Sequence, residues 1–121
     1  MQINTRLMIP LMLIGAVMTI SPVASAMDCP SNMLPTIQGL RDCVQHAVDI
    51  GHISDSGIVT SLFAKIDAAQ AAQDRGLSAT AADILQAFIQ EVNALAGVFI
   101  EAEHADHIVM HAQMVVTDLT D

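Results

Sequence analysis

The chain has no tryptophan and no tyrosine, and only three phenylalanines among 121 residues. That argues against the aromatic stacking platforms of sugar-binding modules and against an interface anchored on Trp or Tyr. Positive charge is scarce too: four Lys or Arg stand against thirteen Asp or Glu, a net charge of −9 with histidine neutral. Phosphate backbones would repel such a chain, so no nucleic-acid partner is expected, whereas cations, basic proteins and polar surfaces stay open. Cysteine occurs twice, at Cys29 and Cys43, without C-x-x-C spacing or a second pair to complete a zinc site. P-loop, dinucleotide-binding and H-E-x-x-H motifs are missing as well. In GHISDSG, His52 lies near Ser54, Asp55 and Ser56, but a Ser/Asp run before a helix reads as a cap and no nucleophile elbow surrounds it. Nothing here reads as an enzyme.

The one long apolar run is LMIPLMLIGAVMTI, residues 7–20. It falls short of the roughly 20 residues a membrane-spanning helix needs, and Pro10 and Gly15 interrupt it. Arg6 precedes it, Ser21 and Pro22 break it, and Ala24-Ser25-Ala26 follows. That order predicts a cleavable signal peptide over 1–26 and a secreted or periplasmic destination. No cysteine follows the expected cut directly, so a lipid anchor is not expected, and no membrane span remains in the mature chain. Residues 27–121 then form a single small domain. It keeps three basic side chains (Arg41, Lys65 and Arg75) against all thirteen acidic ones, net −10 (3 − 13). In an oxidising compartment Cys29 and Cys43 are expected to bridge, and closing a loop of about 14 residues stabilises by roughly 3 kcal/mol.

Apolar residues then recur at helical spacing almost to the end. Ile37, Leu40, Val44, Ala47 and Val48 mark a first helix closed by Gly51. Val59, Leu62, Phe63, Ile66 and Ala69 mark a second, capped by the 54–56 Ser-Asp-Ser run and ended at Arg75-Gly76. Ala81, Leu85, Phe88, Val92 and Leu95 mark a third, beginning near Ser78 or Thr80 and stopped by Gly97. A fourth runs from about Glu101 with Ala105, Ile108, Val109, Ala112, Val116 and Leu119 inward, and with Ile100 positioned to staple its first turn. Short connections make neighbouring helices antiparallel, so the expected fold is all-α, a small up-and-down four-helix bundle. Frequent inward alanines imply close helix approach, and Phe63, Phe88 and Phe99 are all expected in the core.

The stretches GIVTSLFAKIDAAQAAQDRG (57–76) and AADILQAFIQEVNALAGVFIEAEHADHIVMHAQMVVTDL (81–119) carry a resemblance. With S-L-x-x-K-x-x-A in the second helix and A-x-x-L-x-A-F-I-x-x-V in the third, the chain resembles the FIMAH domain, a helical module attached to secreted bacterial hydrolases and surface proteins. With LRDCVQHAVDIGHI ahead of them, the resemblance spans nearly all of 27–121. It implies an extracytoplasmic, noncatalytic interaction module and brings no active residues with it. The chain departs from that pattern in standing without an enzyme in front and in the histidines of its last helix.

Those histidines sit in HADHIVMHAQM, residues 104–114. At about 100° per residue His104, His107 and His111 share one flank of the helix, with Met110 and Met114 on the side away from the core. Thioether favours Cu(I), and imidazole takes Cu(II) and Zn(II). His107 and His111, one turn apart, form a chelating pair that Met110, Met114 or His104 would complete, with Glu103 and Asp106 drawing the cation. The plainer reading is a surface flank that is solvated or meets a partner, and a third is pH sensing by histidines titrating near about pH 6.5. The sequence therefore supports first an exported module that binds a protein or cell-envelope component. The alternative is periplasmic binding or buffering of copper, or of zinc, through the stripe. Homo-oligomerisation is left open.

Overall fold

A computed structural model of the protein describes residues 35–121. The expected signal peptide and Cys29 lie outside the described residues. Four helices follow one another: α1 (Ile37–Asp49), α2 (Ser56–Asp74), α3 (Ser78–Leu95) and α4 (Ala102–Thr120). Each packs on its neighbours in the chain, and α4 closes the ring against α1 without diagonal contacts. The only extended pairings among the described residues are isolated bridges, so the fold is all-α, a four-helix bundle.

Local chemistry sets the helix ends. Thr36 caps α1, its side-chain oxygen accepting from the Gly39 amide at 2.9 Å, and Asp55 does the same for α2 from Ile58 at 3.0 Å. Both helices end in one hydrogen-bond pattern. The His52 amide donates to the Ala47 carbonyl and Gly51 to Val48; Leu77 donates to Ala72 and Gly76 to Gln73. This paired return needs a left-handed residue after the last helical turn, and Gly51 (φ 81°) and Gly76 (φ 78°) provide it.

The core fits the inward alanines. Ala47, Ala69, Ala72, Ala81, Ala105 and Ala112 are fully buried around Leu40, Leu62, Leu85, Ile108 and the largest core side chain, Phe88. Cys43 is buried with them. Phe63 is half-buried beneath the Arg41 guanidinium, 4.7 Å from the ring centroid, and Phe99 is exposed, contrary to its expected core position. Lys65 meets Glu91 at 2.9 Å between α2 and α3, and Arg41 meets Asp67 between α1 and α2.

The fourth helix sits differently from expectation. Its buried face is His104, Ala105, Ile108, His111, Ala112 and Val115, while Val109, Val116 and Leu119 are only partly buried. At 100° per residue this turns the inward face by roughly 50° towards the histidines. The expected surface flank is therefore buried: His104 is 1% exposed and His111 7%. Closure of the ring supplies the reason. α4 must seat against α1 as well as α3, and the side facing α1 carries the imidazoles.

Candidate functional site

At one end of the bundle the loops 50–55 and 96–101 lie side by side. Ile53 pairs antiparallel with Ile100, the Glu101 amide donates to the His52 carbonyl at 2.8 Å, and the Ser54 amide donates to Phe99 at 3.1 Å. His52 is thus held through both backbone groups, its amide by the end of α1 and its carbonyl by the start of α4. This fixes where its ring stands.

The ring meets His104, in the first turn of α4. Their Nδ1 atoms are 3.1 Å apart and the rings stand nearly perpendicular, with centroids 5.2 Å apart. His46, in the last turn of α1, brings its ring to 5.7 Å from that of His104, and His107 lies at 6.4 Å. Four of the five histidines therefore gather, with His104 at the hub. Glu101 stands beside them. Its carboxylate caps α4, Oε1 accepting from the His104 amide at 2.8 Å, and the same oxygen is 3.9 Å from His52 Nδ1. An open cleft of about 340 Å³, lined by His52, Ser54, Phe99 and Glu101 among others, leads to this corner.

The protons follow from the geometry. An Nδ1···Nδ1 contact of this length holds one hydrogen: one ring donates and the other accepts. Protonating both rings would set two N–H groups against each other, so the pair carries at most one positive charge while the contact lasts. Burial holds His104 below the ordinary imidazole value, and His52, His46 and His107 push the same way against the opposing pull of Glu101. The positive end of the α4 dipole also disfavours an imidazolium there. The Glu101 carboxyl is held below its usual range, chiefly by the His104 N–H and also by Glu103, against desolvation. The other nitrogen of His104, Nε2, is buried and has no hydrogen-bond partner among the described residues.

The helix-four stripe is divided by this arrangement. His104 and His111 face into the bundle and His107 lies between. Met110 (55% exposed) and Met114 (46%) face outward along a cleft of about 360 Å³, shared with Pro35, Gln113, Thr117, Asp118 and Asp121. As the side chains stand, no three His, Cys, Asp or Glu among the described residues are placed to hold a metal ion. No helix among them is long and apolar enough to cross a membrane.

His46, His52 and Glu101 as neighbours of His104 escaped the sequence reading, although a signal was there. In an up-and-down bundle the end of the first helix and the start of the fourth share one end. Compared with protein-family models, curated proteins and solved structures, the chain matches none.

Proposed function

We propose that the protein is an exported, noncatalytic binding module that takes a segment of a protein or cell-envelope component along the outer face of α4. The observation carrying this reading is the pair Met110 and Met114, exposed one turn apart beside Asp118 and Asp121. Large exposed apolar side chains in a cleft mark contact surfaces, and methionine adapts its shape to what it meets. The neighbouring carboxylates suit a partner that places a basic residue next to its apolar one. The resemblance to FIMAH domains and the signal-like first 26 residues support the extracytoplasmic setting. A photo-reactive residue at position 110 is the test, with Asp83, exposed on α3, as the control site. The expected result is one discrete adduct from position 110, absent from 83 and lost with Asp118→Lys. Equal labelling from both positions would refute the docking face, and an adduct with a second copy of this chain would make the partner the protein itself.

Copper handling through the stripe is the second reading. It is favoured by His107 and His111 standing one turn apart. It is weakened by Met110 and Met114, which face away from the buried His104 and His111 and cannot share an ion with them without leaving their present side of the helix.

A further inference from the structure

We propose that His52, His104 and Glu101 close on one borderline divalent transition-metal ion, Zn(II) or Cu(II) in class, at the end of the bundle where α1 finishes and α4 begins. The site shares His104 with the stripe but uses none of its other residues and needs no thioether. Two nitrogens bound to one tetrahedral ion at about 2.0–2.1 Å stand about 3.3 Å apart. His52 and His104 already hold their Nδ1 atoms at 3.1 Å, on two different elements whose backbones are hydrogen-bonded to each other. A chelating pair placed in advance loses little freedom on binding.

The third donor is the one that must move. Glu101 Oε1 is 3.9 Å from His52 Nδ1, on a side chain 41% exposed. A small turn of this carboxylate towards the pair completes two imidazoles and one carboxylate, a set that suits zinc and leaves a fourth position to water from the cleft. His104 Nε2 lies across the ring from this pair, buried and without a hydrogen-bond partner among the described residues.

Binding moves one proton. The hydrogen now between the Nδ1 atoms must leave so that both lone pairs face the ion, and each ring then carries its hydrogen on Nε2. For His104 that N–H points where the described residues offer no acceptor. The cost is a weakening of roughly ten- to a hundredfold relative to a site with its outer hydrogen bonds complete. The expected affinity is therefore moderate.

The test is a competition titration of the purified, chelator-stripped protein with Zn(II) against a chromophoric chelator, with Co(II) absorption reporting the ligand geometry. The expected result is one ion per chain, weakened at least about tenfold by both His52→Ala and Glu101→Gln. His52 is partly exposed, and the amide oxygen introduced by Glu101→Gln still accepts from the His104 N–H, so both variants leave the bundle folded, as circular dichroism would verify. His111→Ala is expected to bind as the parent does. Three results overturn the proposal: no uptake, uptake indifferent to His52→Ala or to Glu101→Gln, or uptake lost in His111→Ala, which would place the ion on the stripe instead.

Discussion

Replacing His104 with leucine removes a buried polar atom that the bundle leaves unsatisfied. The side chain is 1% exposed, and its Nε2 has no partner among the described residues. A buried polar group left unsatisfied costs about 1–3 kcal/mol, whereas the single hydrogen bond to His52 contributes about 1 kcal/mol. His52, the partner left behind, is partly exposed beside an open cleft, so water can take over its Nδ1. Leucine has a volume close to that of histidine and finds Ala105 and Ile108 beside it in the core. The balance favours His104→Leu by about 1 kcal/mol without metal, which for a domain of this size raises Tm by about 4–8 °C.

Acid should widen that gap. Because burial above all depresses the folded-state pKa of His104, the unfolded chain takes up the proton first. The parent therefore keeps its full stability above about pH 6.5, loses stability as pH falls from there towards the folded-state pKa, and levels off below it. Leucine carries no such linkage. Thermal melts followed by helical circular dichroism, run with chelator at about pH 7.5 and about pH 5, measure both quantities. A His104→Leu variant less stable than its parent at the higher pH would refute the reasoning, as would a gap that does not grow at the lower pH. Either result would mean that the imidazole is satisfied in solution.

Other expectations are simpler. Phe88→Ala empties the largest fully buried side chain and should cost about 3–5 kcal/mol, enough to leave a substantial unfolded fraction in urea titrations. Gly76→Ala meets no atom within 4 Å but forces alanine to φ 78°, so a loss of about 1 kcal/mol is expected from backbone strain alone. Asp55→Ala removes the cap that accepts from Ile58 and should cost about 0.5–2 kcal/mol, read as a lower Tm. If Cys29 bridges the buried Cys43, reduction before melting should remove roughly 3 kcal/mol, and an unchanged melt would deny the bridge.

Most of the fold was legible because its signals are local. Ser54-Asp55-Ser56, Gly51, Gly76 and Gly97 mark helix ends through hydrogen bonds that reach only a few residues, and the apolar spacing of α1 and α3 matches their buried faces. The site was not legible in the same way. The inward face of α4 was assigned by hydrophobicity, which selects Val109 and Val116 over His104 and His111. The bundle chose by geometry, seating α4 against α1, and hydrophobicity cannot report which flank a neighbour will cover. Phe99 shows the same limit in reverse, since the tight turn after Gly97 carries it out of the core.

That choice has a consequence for what the bundle end can attract. Two of the three basic side chains among the described residues, Arg41 and Lys65, are committed to bridges between helices, opposite Asp67 and Glu91. The charge that adjoins the His52–His104 pair is instead a carboxylate, that of Glu101. Such a field draws a cation but favours protons and metal ions alike. The distinction comes from the contact itself. With one hydrogen already between the Nδ1 atoms, one added proton goes to the outer Nε2 of the donating ring and leaves the contact intact, and a further one would set two N–H groups against each other; a metal ion instead takes the place of the shared hydrogen and holds both rings at nearly their present distance. A histidine pair meant only to sense acid would gain from exposure; this one is buried on one side and clefted on the other, and that asymmetry suits a ligand that arrives from solvent and stays.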